Sequence, residues 1–458
     1  MPEKSESDLR ELFGRAAAEA AEYRESLGRR RVGAAKSSAE VRADFRRPLG
    51  QEGRPAAEVI EELITLAEGG LVASAGPRYF GFVVGGALPA ASAADILAIG
   101  WDQNAWNSVL SPTAAAAEAA AGEWLKELLD LPATASTGFV TGAQAANTVG
   151  LAAARHHVLT KAGWDVEKDG LAGAPRVRIL AGDERHATID RSLRLLGFGS
   201  GSLEPVHSKE NGVIDLDDLR TRLDGHEGPL IVCLQAGNVN TGASDSLGDA
   251  CELIHEYGGW VHVDGAFGLW AAASPTHRHQ VAGLELADSW GCDGHKWLNL
   301  PYDSGFVFCA HPESHAAALG YSASYLVRSE DPEPGDYVME SSRRARGLAV
   351  WAGLQELGRD GVAQLVDNCC TLAKSLGDQL ASAGYDLGNE VVLNQILVSF
   401  GDDTETDRVI GALQASGTCW MGGTTWRSKR YMRISVSNHQ TTPDDLTQTL
   451  QAIEAITH

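Results

Sequence analysis

Between residues 139 and 308 the chain repeats one pattern, a short apolar run, then a turn, then a helix-length segment. The runs are Phe139-Val140, Val177 to Ala181, Leu230 to Gln235, Trp260 to Val263 and Gly305 to Cys309. Strands that alternate with helices bury their apolar faces by forming a mainly parallel sheet with helices packed on both sides. Open α/β sheets of this kind place ligand chemistry at the carboxyl ends of their strands. The turns that close the runs are therefore where a site is expected.

Two turns carry reactive groups. His262-Val263-Asp264-Gly265-Ala266 puts a carboxylate at the end of an apolar run, and Asp293-Gly294-His295-Lys296-Trp297 puts a lysine on a turn between strands. Bulky, partly apolar neighbours on both sides of Lys296 imply a partly buried amine, the setting that draws a lysine towards nucleophilic use. Taken singly, each residue is also what an ordinary surface turn contains. Together they match the needs of pyridoxal 5'-phosphate (PLP), a lysine to hold the aldehyde and a carboxylate to keep the ring nitrogen protonated.

At these residues the sequence resembles the group II PLP-dependent amino acid decarboxylases, which include the aromatic-L-amino-acid, tyrosine, histidine and glutamate decarboxylases. His-Val-Asp-x-Ala and His-Lys-Trp carry the resemblance, which runs from about Pro77 to the C-terminus. The variant Asp-Gly-His-Lys-Trp-Leu-Asn-Leu-Pro-Tyr-Asp-Ser-Gly is similar to a bacterial branch. The resemblance implies fold type I, the aspartate aminotransferase-like α/β fold, with a large PLP-binding domain and a smaller C-terminal α/β domain. On that basis the chain divides into an N-terminal helical arm (1–60), a large domain (61–326) and a small domain (327–458). A polar stretch, 327–342, reads as a mobile loop because of Pro332, Pro334 and Gly335.

The resemblance also implies roles, residue by residue. Phe139 to Asn147 passes through a glycine turn into a helix, and small residues there let the backbone approach an anion. A plain helix start has the same look, but the family's phosphate turn has this form and places Ala143 and Gln144 on the phosphate. His186 matches the histidine that stacks on the cofactor ring, and Ala266 the residue on its opposite face. Asp293 and His295 help hold the phosphate, and Asn240 and Thr241 also face the cofactor. The segment around Asn240 departs from the family, with Asn238, Val239 and Asn240 standing in place of a threonine run. Phe82 and Trp106 match regions near the substrate side chain, although ordinary core packing explains such aromatics equally well. Arg433 matches an arginine that binds a substrate carboxylate, with a salt bridge inside the small domain as the other reading. Tyr337 matches the loop tyrosine that returns a proton after CO₂ leaves, but here the loop is shorter.

The expected activity is decarboxylation of an L-amino acid, aromatic or apolar, to its amine. Aldehyde synthesis, aldol-type cleavage and transamination on the same scaffold are the alternatives, and a catalytically silent binding protein of this fold is a further one. Lys296 and Asp264 weigh against the last. The net charge of −23 excludes nucleic acid and anionic membrane as natural partners. Seven scattered cysteines without Cys-x-x-Cys spacing give no metal site and fit the cytoplasm. The charged first 31 residues lack the apolar core of a signal peptide, and no run is long enough to span a membrane. A homodimer, with the arm packed on a partner subunit, is what the resemblance implies.

Overall fold

The structure is a computed structural model and describes residues 6–321 and 333–457. Eleven strands are present among them: β1 (Ser136–Val140), β2 (Arg178–Gly182), β3 (Leu203–Val206), β4 (Leu230–Gln235), β5 (Trp260–Asp264), β6 (Ser289–Asp293), β7 (Gly305–Cys309), β8 (Asp386–Leu387), β9 (Gln395–Ser399), β10 (Gly422–Trp426) and β11 (Lys429–Ser435). The first seven form one sheet in the order β1-β7-β6-β5-β4-β2-β3, and the last four form a second in the order β10-β11-β9-β8. β3, β2, β4, β5 and β6 pair in parallel, whereas β7 is antiparallel to both β6 and β1. The sheet is thus mainly parallel, as the alternation of runs and helices predicts. The fold is α/β of type I.

The antiparallel placement of β7 turns the stretch from Gly294 to Ser304 into a connection between neighbouring strands, and Lys296 lies on it. Register then fixes the site. Asp264 lies opposite Gly291, and Asp293 lies opposite Gly305. The helix Ala143–Lys161 crosses the sheet with most of its residues buried, which its run of Ala, Gly and Val permits on every face. Trp260, Trp270, Trp290, Phe306 and Phe308 are fully buried and fill the layer between sheet and helices.

Within the arm, Ser38–Phe45 is a helix started by a capping box between Ser37 and Glu40. β9 begins at Gln395, and the long helical element Gly347–Ser382 is broken at Gly358. Residues 327–332 of the loop expected at 327–342 lie outside the described residues. From Glu333 onward the chain is docked on the body. Pro334–Tyr337 forms a short 3₁₀ turn, Gly335 N–H donates to the Trp106 carbonyl at 2.8 Å, and Ser108 donates to Glu333 through both its amide and its hydroxyl at 2.8 Å. No helix among the described residues is long and apolar enough to cross a membrane.

Two core histidines make the fold acid-sensitive. His262 has no exposed surface and sits between Ser289 Oγ at 2.9 Å and Asn147 Oδ1 at 3.1 Å, while His315 sits between Ser136 Oγ at 2.9 Å and the Tyr337 carbonyl at 3.0 Å. Burial pushes their pKa values down to about 3 and about 4. Both are neutral in the fold, while the unfolded chain takes up a proton at each below the ordinary value of about 6.5. Stability should therefore fall as pH drops from about 6.5 towards 4, by up to about 1.4 kcal/mol per pH unit for each histidine. Urea midpoints measured between pH 7 and pH 5 check this, and a His315→Asn variant should show the shallower slope. Equal slopes in the two proteins would remove His315 from the account.

Candidate active site

The carboxyl ends of β1, β5 and β6 converge on an open cavity of about 470 Å³. That volume lies within the roughly 300–1,000 Å³ usual for small-molecule sites. Thr141, Gly142, Ala143 and Gln144 line it from the β1 turn, His186 and Thr188 from the β2 turn, and Ala266, Asp293, His295 and Lys296 from the β5 and β6 ends. Lys296 is partly buried, with Nζ 3.0 Å from Asp293 Oδ2. The other oxygen of Asp293 accepts the Ala143 N–H at 2.5 Å and lies 3.3 Å from His295 Nε2. One carboxylate therefore joins the lysine, the histidine and the start of the helix Ala143–Lys161. Burial lowers the His295 pKa, with Asp293 acting in the opposite direction.

Asp264 is 5% exposed at the end of β5, and its Oδ1 accepts the Ala266 N–H at 3.3 Å. Thr188 connects it to the next turn, with its hydroxyl 3.4 Å from Asp264 Oδ2 and 2.9 Å from His186 Nδ1. Asn147 Nδ2 donates to the same hydroxyl at 3.2 Å, so a buried polar chain leads from His262 through Asn147 and Thr188 to Asp264. His186 caps the helix Ala187–Leu195 and reaches solvent at the cavity mouth. The walls packed around its ring lower its pKa, and Asp264 opposes that shift.

These groups fit PLP. The helix starting at Ala143 offers an anion its N-terminus. The turn before it is packed so closely that a Cβ on Gly142 would lie 2.8 Å from His295 Cε1 and 3.0 Å from Asp293 Oδ1. A phosphate can approach this backbone, an amine projects into the cavity, and a buried carboxylate stands behind it. The Asp293 carboxylate itself repels a phosphate, so its place is with Lys296, His295 and the Ala143 amide.

The structure brings together Lys296, Asp264, His186, Ala143, Gln144, Ala266, Asp293 and His295. The other expected residues do not line the cavity. Thr241 is buried and its hydroxyl donates to the Asn211 carbonyl at 2.7 Å, while Asn240 accepts from Thr424 at 2.9 Å. Both hold the turn after β4 in place, and neither lines the cavity. Tyr337 packs its ring against His315, centroids 4.9 Å apart, and His315 bonds Ser136 at the far end of β1 from the Lys296 turn. Among the described residues of the loop, Met339 lines the cavity. Arg433 on β11 donates to the Val239 carbonyl at 3.3 Å, and burial lowers its pKa. Trp106 packs beside Tyr321, at 6.2 Å between centroids. Phe82 is exposed, 5.3 Å from Trp420, which stacks on Tyr79 at 4.9 Å. Thr188, Met339 and Trp420 are absent from the expectations. Only Thr188 had a local signal, a hydroxyl two residues after a capping histidine.

A seven-stranded sheet of this order, with a lysine turn between β6 and β7 and a carboxylate ending β5, defines a PLP enzyme of fold type I. Residues 41–400 match the family described as the pyridoxal-dependent decarboxylase conserved domain. The chain belongs to that family, its cofactor is PLP, and it is an amino acid decarboxylase. It is 27% identical over 401 residues to an aromatic-L-amino-acid decarboxylase of Bacillus atrophaeus, covering 83% of this chain and 81% of that one. An L-2,4-diaminobutyrate decarboxylase of Acinetobacter baumannii is 26% identical over 307 residues, 63% of this chain and 58% of the relative. Among solved structures, Oryza sativa TDC with PLP and tryptamine superposes with a TM-score of 0.92 at 21% identity, over 100% of this chain and 99% of that one.

Proposed function

We propose that the enzyme decarboxylates an aromatic or apolar L-amino acid to its amine and CO₂, taking up one proton per turnover. One observation carries the aromatic preference. The segment Tyr79 to Phe82, stacked on Trp420, leads directly into Gly85, which abuts the Lys296 carbonyl. An aromatic wall therefore runs up to the lysine turn. The similarity to the Bacillus aromatic-L-amino-acid decarboxylase supports the same reading.

Bound PLP supplies an electron sink for the pair released when the carboxylate leaves. Lys296 would anchor the cofactor through its amine. Asp264 would keep a proton at the ring nitrogen, with Thr188 and the Ala266 N–H orienting its two oxygens. His186 and Ala266 would hold the ring, and the Ala143 turn, Gln144 and His295 would hold the phosphate. Arg433, a partly buried guanidinium, would pair with the substrate carboxylate and orient the bond to be broken. With Tyr337 docked on His315, Lys296 is the group placed to return a proton to the α-carbon. Phe82 forms part of the side-chain wall, and Trp106 stands at its margin beside the docked loop.

The chain-level reading belongs to the same proposal. The seven-stranded sheet lies within 61–326 and the four-stranded one within 327–458, with 1–60 as an arm. That arm and the segments after it leave Val59, Leu63, Ile96, Ile99, Trp101 and Val109 exposed, an apolar surface suited to a second copy of the chain. Seven buried, unpaired cysteines suit a reducing cytoplasm. The lysine-turn variant supports the bacterial branch of the family.

The test is an assay of the purified protein, of mass near twice 48.5 kDa if dimeric, against the twenty amino acids for CO₂, amine, aldehyde and peroxide. Turnover on aromatic amino acids with amine equal to CO₂ is the expected result. Preference for a diamino or dicarboxylic acid would reject the aromatic wall. Aldehyde with stoichiometric peroxide would favour the aldehyde synthase reading, which the distance of Tyr337 from the cavity makes the second choice.

A further inference from the structure

We infer that Asn299 is a positioning residue for Lys296, holding the lysine turn against the two other chain segments that frame the cavity. This rests on the reading of Lys296 as the cofactor anchor. Asn299 has no exposed surface, and its side chain makes five hydrogen bonds. Nδ2 donates to the carbonyls of Trp297 and Ser437, both at 2.8 Å. Oδ1 accepts from Gly86 N–H at 2.5 Å, from His439 N–H at 3.0 Å and from His439 Nδ1 at 3.1 Å. Carbonyls only accept, so the amide has one orientation, and the His439 ring must carry its proton on Nδ1.

The backbone of the same residue repeats the connection. Asn299 N–H donates to the Lys296 carbonyl at 3.2 Å, and its own carbonyl accepts from Leu88 N–H at 2.8 Å. Its φ of 56° lies in the left-handed region, which Asn tolerates better than most residues. From the other side, a Cβ on Gly85 would overlap the Lys296 carbonyl oxygen, and one on Gly86 would lie 2.8–2.9 Å from His439 Nδ1, Asn299 Oδ1 and Asn438 Oδ1. The pair Gly85-Gly86 is thus a slot shaped to the lysine turn and the Asn299 amide.

The three joined segments matter for the chemistry. Residues 85–88 continue the wall that carries Tyr79 and Phe82, and residues 437–439 follow β11, which carries Arg433. Asn299 lies three residues after Lys296 and touches both. Its amide therefore sets where the lysine stands relative to the side-chain wall and to the arginine, although it reaches neither substrate nor cofactor. Nothing in the site's lining points to it, because all five of its contacts are made behind the cavity wall.

The experiment is Asn299→Gly in the holoenzyme. Glycine keeps the positive φ and removes only the amide, so backbone and side-chain effects separate. The expected result is a kcat lower by about 10- to 100-fold with KM little changed, faster loss of PLP on dialysis, and a shifted midpoint pH for the visible band of lysine-bound cofactor. A lowered melting temperature with wild-type kcat, PLP release and band midpoint would overturn the role and leave Asn299 as packing. If Asn299→Gly cannot be purified, His439→Ala decides. It removes the Nδ1 bond at a partly buried site and leaves the His439 backbone bond in place, so a smaller change of the same sign in PLP release and band midpoint supports the role, and wild-type values overturn it. A borohydride-stable PLP adduct in Lys296→Ala would instead show that the anchor lies elsewhere, a failure of the underlying reading that is independent of the Asn299 result.

Discussion

Lys296→Ala is expected to fold normally and to carry no covalently attached PLP. The amine at 296 projects into the cavity beside Asp293, within a turn fixed by its position between β6 and β7. Removing it takes away the anchor and, on the proposed mechanism, the group that returns the proton. Proton transfer alone contributes about 10²–10⁴ in rate, so turnover should fall by about 10⁴ or more. Borohydride reduction followed by mass measurement of the intact chain checks the attachment. Asp293 would lose its cationic partner in this variant, and free amines such as methylamine should restore part of the activity by entering the vacated space. A reducible adduct that survives the substitution assigns the anchor to another lysine.

Asp264→Asn should separate binding from chemistry. The amide can still accept the Ala266 N–H that Asp264 Oδ1 takes at 3.3 Å, and it fits the same space at the end of β5. It cannot hold a positive charge at a ring nitrogen. PLP should remain attached to Lys296 while kcat falls by on the order of 10²–10³, the usual cost of removing one preorganised electrostatic partner. Thr188 contacts the same carboxylate, so Thr188→Val in the Asp264→Asn background should add little. Wild-type kcat in Asp264→Asn would reduce the carboxylate to a cap for the β5 turn.

The places of Asp264 and Lys296, a strand end and a turn, were legible in the sequence because each is set by local features, a carboxylate at the end of an apolar run and a lysine between bulky neighbours. The antiparallel course of β7 was not, since a run such as Gly305 to Cys309 reads the same in either direction. Nor was β3, a four-residue strand with Pro205 within it. The helix Ser38–Phe45 had its signal in Ser37 and Glu40, hidden inside a stretch rich in glycine and proline further on. Thr241 and Tyr337 lie off the cavity lining for a different reason. Their positions along the chain match the family's order, but the direction of a side chain depends on partners far away, Asn211 for one and His315 for the other.

The ladder that links β5, β6 and β7 fixes the strand end that carries Asp264 and the connection that carries Lys296, while Tyr79, Phe82 and Trp420 come from segments outside that ladder. On the proposed reading, bond-breaking chemistry and choice of amino acid therefore sit on separate pieces of chain. Substitutions at 79, 82 or 420 would then be expected to change the preferred amino acid while the cofactor stays loaded. A scaffold divided this way could change its substrate in single steps without losing its chemistry.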